Sequence, residues 1–226
     1  MVPATFWNAD LADSPPPVVL VQHGGPFHTR HEQSDSLART IVERLDSAVL
    51  LIDGPIHGRR RTDELGPQDM LAAFRQYWSE DGGIDDMVSD WTAALDTVLD
   101  RGWADQERVA WLSVSMGTAY GIPLCAACDR IKGAALGMWG LGWGNDEILI
   151  REARRMTTPA LFQIKDRDEF FGTRSQRDLF DALGSADKCL RTFAGGHSLT
   201  APGQLDQLLG FIAETLASDE IRSPSI

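Results

Sequence analysis

The chain reads as an α/β protein with a mostly parallel central sheet and helices on both faces. Three observations carry that reading. Short apolar or β-branched runs alternate with amphipathic helical stretches along the whole length. The 226 residues, 43% hydrophobic and 24% charged, suit one domain with a sizeable core. A serine bracketed by small residues, Ser113-Val114-Ser115-Met116-Gly117, sits where an apolar run gives way to a helix-forming one.

Taken in order, a weak strand candidate, Thr5 to Asn8, opens the chain. Ser14-Pro15-Pro16-Pro17 is a stiff lead-in to the first central strand, not an interdomain linker. That strand, Val18 to Gln22, and the next, Ala48 to Ile52, are apolar runs of strand length, with a helix from Ser34 to Leu45 between them. Helical stretches follow at Pro67 to Trp78 and Ile84 to Arg101, then a strand at Arg108 to Leu112. After the serine comes a helix, Thr118 to Cys128, and then strands at Gly133 to Met138, Ala160 to Ile164 and Cys189 to Phe193. Helices at Asn145 to Met156, Thr173 to Leu183 and Gly203 to Ala217 complete the pattern. Residues 1–226 are expected to form a single domain, in which 139–158 is a very short lid-like segment.

Composition excludes several classes. A formal net charge of −12 repels phosphate backbones, so no nucleic acid partner is expected. No apolar run approaches the roughly 18 residues of a membrane span, and Met1-Val2-Pro3-Ala4-Thr5 lacks a basic lead into an apolar stretch. No membrane partner is expected, and the location is read as cytoplasmic. Three cysteines make no disulfide framework, and Cys125 and Cys128 fall within a helix as core residues. His28 and His31 form no metal-ligand cluster with nearby cysteines or carboxylates, so neither a metal nor a cofactor is expected.

In parallel sheets the chemistry collects at the carboxyl ends of the strands. A sharp strand-to-helix turn strains its central residue and exposes its side chain, which requires small neighbours two positions away on each side. Ser113 and Gly117 satisfy this around Ser115. After the first central strand comes His23-Gly24-Gly25-Pro26, where a glycine pair can aim an N–H at an oxyanion; Pro26 has none, so Gly25 is the donor, with Met116 as its partner. Lys165-Asp166-Arg167-Asp168-Glu169 offers two candidate acids on one loop, and Ala194-Gly195-Gly196-His197 ends the last strand. Three strand ends thus supply Ser, Asp and His in that order. A serine hydroxyl needs such a base, and the base needs an acid to set its tautomer.

Together these motifs resemble an α/β-hydrolase, and the chain's size is similar to that of dienelactone hydrolase-like serine esterases. The resemblance runs from His23-Gly24-Gly25 through Asp53-Gly54-Pro55-Ile56-His57-Gly58 and the serine turn to Gly195-Gly196-His197. Ser113 stands where the family usually has glycine, and Asp166 where a glycine often precedes the acid by two. Asp168, followed by Glu169-Phe170-Phe171, resembles the family's acid with its polar residue and apolar pair. The resemblance implies an enzyme without cofactor that cleaves carboxylic esters of small acyl groups through an acyl-enzyme on Ser115. His197 would shuttle the proton and Asp168 orient His197. A thioesterase or small peptidase would use the same triad, and a non-catalytic ligand-binding homologue would keep the pocket alone.

Met138-Trp139-Gly140-Leu141-Gly142-Trp143-Gly144 falls where many α/β-hydrolases insert a large lid. With one helix there, the site should be open, with an aromatic wall of Trp139 and Trp143 completed by Phe27, Phe170 and Leu199; equally, the tryptophans would simply fill core. His23 and His57, each before a glycine, would hold loops by bonding backbone. Arg59-Arg60-Arg61 could attract a substrate carboxylate, or form a solvated loop balanced by Asp63 and Glu64.

Overall fold

The structure, a computed structural model, describes residues 2–8, 14–63 and 65–217, so Met1 and Glu64 lie outside it. Among the described residues seven strands form one sheet: β1 (Ala4–Trp7), β2 (Val18–Gln22), β3 (Ala48–Ile52), β4 (Val109–Leu112), β5 (Ile131–Gly137), β6 (Ala160–Lys165) and β7 (Lys188–Phe193). Their order across the sheet is β1-β3-β2-β4-β5-β6-β7. Only β1 runs antiparallel, with Ala4 opposite Ile52; every other pairing is parallel. This is the α/β-hydrolase sheet.

The helices are α1 (Glu32–Leu45), α2 (Pro67–Glu80), α3 (Ile84–Asp100), α4 (Met116–Ala127), α5 (Asp146–Arg155), α6 (Thr173–Ala182) and α7 (Gln204–Leu216). Parallel strands must be covered twice, which is why β2 and β3 read as unbroken apolar runs. Along β2 the side chains alternate between two cores: Val19 and Val21 pack with Ala38, Ile41, Leu208 and Ile212 of α1 and α7. Val18 and Leu20 face the opposite cluster, which holds Phe74, Trp78, Trp91 and Leu149 from α2, α3 and α5. No helix among the described residues is long and apolar enough to cross a membrane.

Element ends differ from expectation by a few residues, each for a local reason. The strand expected from Gly133 begins at Ile131, which pairs with Val109; the exposed Lys132 follows at an irregularity in the register before Ala134 pairs with Trp111. It ends one residue early, since Met138 turns into left-handed backbone at φ 53°. The Gly58–Arg60 stretch forms a short 3₁₀ turn that no periodicity announced. α4 begins at Met116, directly after the serine, and its first ten residues are all buried. A helix buried all round has no polar stripe, so the turn before it was its clearest signal.

Candidate active site

Ser115 lies between β4 and α4 with φ 58° and ψ −127°, a conformation costly for a residue with a side chain. Two interactions over-determine it. Its N–H donates to the Gly137 carbonyl at 2.8 Å, and Thr118 Oγ1 ties the same carbonyl at 2.6 Å to the helix that follows. Gly117 must lack a side chain, because a Cβ there would lie 2.2 Å from Ser113 Cβ. Ser113 itself is buried; its Oγ accepts from Gln22 N at 2.6 Å and donates to the Leu112 carbonyl at 2.5 Å. That hydroxyl faces the sheet.

His197 Nε2 lies 2.7 Å from Ser115 Oγ, and its Nδ1 lies 2.8 Å from Asp168 Oδ2. The Asp168 side chain is fully buried and that of His197 is 11% exposed. The other oxygen of Asp168 accepts N–H bonds from Phe170 at 2.9 Å and Phe171 at 3.0 Å. Burial works to raise this carboxyl, but the His197 bond and charge and those two N–H groups hold it below its usual value. It is therefore a carboxylate at neutral pH. As the acceptor it places the imidazole proton on Nδ1, leaving the Nε2 lone pair toward the serine. Asp166, the other acid of the loop, instead accepts from Gly195 N at 2.8 Å.

Beside Ser115, the glycine loop is held from behind. Gly54 N donates to His23 Nε2 at 2.9 Å, so the His23 proton sits on Nδ1, which donates to the Gly24 carbonyl at 2.9 Å. Phe27 N donates to that carbonyl at 3.0 Å as well. In a trans peptide the N–H opposes the C=O, so fixing the Gly24 carbonyl aims the Gly25 N–H the other way. Among the described residues no acceptor takes the N–H of Gly25 or of Met116. His57 Nε2 donates to the Gly25 carbonyl at 2.7 Å.

Burial lowers the pKa of His23 to about 4 and, together with the neighbouring His23, that of His57 to about 3. Both are neutral when folded and take up protons on unfolding. The unfolded chain therefore binds more protons below its histidine pKa near 6.5, so stability is complete above that pH and falls as pH drops from about 6.5 toward 4. Each histidine contributes at most about 1.4 kcal/mol per pH unit in that window. Urea midpoints from pH 7 to 4.5 should fall accordingly, and His57→Gln, which keeps a donor for Gly25 but cannot titrate, should flatten the slope. An unchanged slope in that variant would remove His57 from acid sensitivity.

A cavity of about 660 Å³ opens at Ser115 and His197, and Gly25, Phe27, Trp139, Trp143, Phe170 and Leu199 line it. Met116 is wholly buried and is not among the residues that line it. Trp139 belongs to both readings made of it: 1% exposed, it stacks edgewise on Trp78 and Trp143 while presenting a face to the cavity. Of segment 139–158, these two tryptophans reach the cavity, whereas α5 packs between α4 and α6. The three arginines are engaged elsewhere. Arg59 Nη2 donates to the Ala4 carbonyl, Arg60 pairs with Asp90 at 2.6 Å, and Arg61 makes two bonds to Asp63. His28 and His31 bond backbone at the start of α1. Cys125 and Cys128 are buried free thiols, the former pushed up by burial and by the latter.

Sequence reasoning missed three supports. Glu169 Oε2 accepts the His197 N–H at 2.8 Å, pinning the histidine loop to the acid loop. Gln176 bonds Lys165 N and O and the Phe171 carbonyl, bracketing the loop that carries Asp168. Buried Lys165 reaches Gln204 Oε1 at 3.0 Å, joining β6 to α7. One signal was available: Gln176 and Leu179 are the buried residues of α6, and a glutamine in the place of an apolar residue needs partners.

No family model matches the chain, and no curated protein does. Among solved structures, a cold-adapted esterase from an Arctic intertidal metagenomic library, in its PEG-bound complex, is 34% identical with a TM-score of 0.82. That match covers 96% of this chain and 89% of the other. Esterase PE8 is 16% identical over 95% of this chain and 99% of its own, at a TM-score of 0.71. A puromycin-hydrolyzing peptidase of Mycobacterium tuberculosis is 20% identical, covers 95% of this chain and 37% of that one, and has a TM-score of 0.68.

Proposed function

The chain belongs to the α/β-hydrolase family, and on that premise we propose that it hydrolyses carboxylic esters of small acyl groups through Ser115. The observation carrying this reading is the bridge His197 makes, 2.7 Å from Ser115 Oγ and 2.8 Å from a buried Asp168. Ser115 Oγ attacks the ester carbonyl as its proton passes to His197 Nε2, and the carbonyl oxygen becomes an oxyanion held by the Gly25 and Met116 N–H groups. Collapse breaks the bond to the alcohol oxygen, which leaves with the proton from His197. Water, deprotonated by the same nitrogen, then attacks the acyl-enzyme and releases the acid and free Ser115. Asp168 stabilises the imidazolium formed in both halves.

The small-acyl preference follows from the wall. Trp139, Trp143 and Phe171 are nearly fully buried and lock against one another at ring separations of 4.6 to 5.3 Å. Rigid rings yield little space to a long chain, although each extra methylene could contribute about 0.8 kcal/mol if it were buried. Across 4-nitrophenyl esters from acetate to palmitate, kcat/KM should therefore peak at short acyl groups, and Trp143→Ala should move the peak longer. A steady rise to palmitate in the unaltered protein would overturn it. The founding test is turnover of 4-nitrophenyl acetate together with labelling by a fluorophosphonate, a reagent selective for activated serine; absence of both would refute the serine mechanism and leave a ligand-binding pocket.

A further inference from the structure

The lining of the cavity narrows the substrate beyond ester chemistry. Not one Asp, Glu, Lys or Arg is among the described residues that line it, in a chain that carries 33 acidic and 21 basic side chains. Its titratable groups are His197, which works on the proton, and His23, whose two nitrogens are already bonded to Gly54 N and the Gly24 carbonyl. Arg59, Arg60 and Arg61 are held by Ala4, Asp90 and Asp63, and Arg75 stacks on the Trp143 ring at 4.9 Å without itself joining the lining. An anion entering this cavity would lose hydration and gain no counter-ion, and a charge of either sign carried on a group along α1 would meet only uncharged side chains there.

The cavity also straddles the carboxyl edge of the sheet, so its two ends are lined by different cores. Toward α2, Phe74, Trp139, Trp143 and Phe171 belong to one apolar cluster, with Leu71 and Phe170 packed on it. Toward α1, Leu37, Val114, Leu199 and Leu205 pack on the other cluster. Around these four the lining is uncharged and polar: Gln33, Ser36 and Thr40 from α1, and Ser198 and Thr200 from the histidine loop. Gln33 and Ser36 are exposed, and among the described residues no hydrogen bond engages their side chains. An apolar floor between hydroxyl and amide rims suits a group with C–H faces and hydroxyl edges. The departing oxygen takes its proton from Nε2 of His197, which is flanked by Phe170 at 4.8 Å between ring centroids on one side and leads through Ser198 to Thr200 into this trough on the other; the trough is the side that offers a hydroxylated alcohol polar partners. The aromatic end is left for the acyl group.

Building on the esterase reading, we propose that the substrate is an uncharged ester of a small apolar acid with a polyhydroxylated alcohol, the acyl group seated among the aromatic rings and the alcohol along α1.

The test holds the acyl group constant and varies the alcohol: kcat/KM for the acetate esters of glycerol, 1-propanol, choline and lactate, with glyceryl hemisuccinate to place a charge on the acyl side. Glyceryl acetate should exceed propyl acetate by about tenfold, the worth of one or two hydrogen bonds. The choline, lactate and hemisuccinate esters should each fall about 100-fold below glyceryl acetate, because their charges go unpaired. The double variant Gln33→Leu/Ser36→Ala, altered at two exposed positions, should bring the glyceryl-to-propyl ratio to about one. A charged ester as fast as glyceryl acetate, a glyceryl rate no better than propyl, or a ratio untouched by the double variant overturns the proposal. Turnover of 4-nitrophenyl acetate and fluorophosphonate labelling run alongside: if both fail, the esterase reading itself has failed, whereas if both succeed and the order of esters is wrong, only the substrate class has.

Discussion

Ser115→Ala should abolish ester turnover, lowering kcat by about 10⁵- to 10⁶-fold, the loss usual when a triad nucleophile is removed. Fluorophosphonate labelling should vanish with it. The fold should survive, because removing one oxygen from a partly exposed side chain leaves the bonds from Ser115 N to Gly137 and from Thr118 Oγ1 to the same carbonyl intact. Circular dichroism and the thermal midpoint serve as the control. Ser113→Ala is the informative contrast. Its hydroxyl is bonded to Gln22 N and the Leu112 carbonyl, while His197 Nε2 bonds Ser115, so most activity should remain. Its loss should instead cost stability, about 1 to 3 kcal/mol, since Gln22 N would be buried without an acceptor. Full activity in Ser115→Ala, or the larger catalytic loss in Ser113→Ala, would refute the nucleophile assignment.

Asp168→Asn should lower kcat by about 10⁴-fold with the protein still folded. An amide can accept at its oxygen or donate at its nitrogen, and beside Nδ1 the donating arrangement favours the wrong imidazole tautomer, turning the proton of His197 toward Ser115. Phe170 N and Phe171 N, which now share one carboxylate oxygen, would bind an amide less well, a second pressure in the same direction. Asp166→Asn should cost at most about tenfold, because that side chain, 46% exposed, meets Gly195 N and the neighbouring Arg167 rather than the imidazole. Rates for both variants at pH 7 decide the matter. The reverse ranking would move the acid to Asp166, and near-normal rates in both would take the loop out of the mechanism.

Much of this architecture was written locally. β2 and β3 were bounded to the residue as Val18–Gln22 and Ala48–Ile52, because a strand covered on both faces is apolar throughout and stops where polar loops begin. The serine turn was legible because its geometry demands small residues at fixed offsets, and Gly117 meets that demand. The ordered Ser, Asp and His at strand ends were legible because parallel topology gathers those ends on one edge. Other features had no local signal. Ser115 and His197 meet across 82 positions, and His197 meets Asp168 rather than Asp166 across 29. Two aspartates two residues apart look alike in sequence; only the bracketing of their loop by Gln176 and by Gly195 N turns one inward and the other out. Likewise the three arginines are one charge run in sequence, and while Arg61 keeps its local partner Asp63, Arg59 and Arg60 separate to Ala4 and Asp90 once β1 and α3 close around them. Periodicity and composition thus determined which segments become strands and helices and which end carries chemistry, since those depend on each residue's nearest neighbours along the chain. The distant partners of Ser115, Asp168, Arg59 and Arg60, and with them the uncharged lining of the cavity, were decided by tertiary structure, because hydrogen bonds and ion pairs act over about 3 Å of space whatever the separation in sequence.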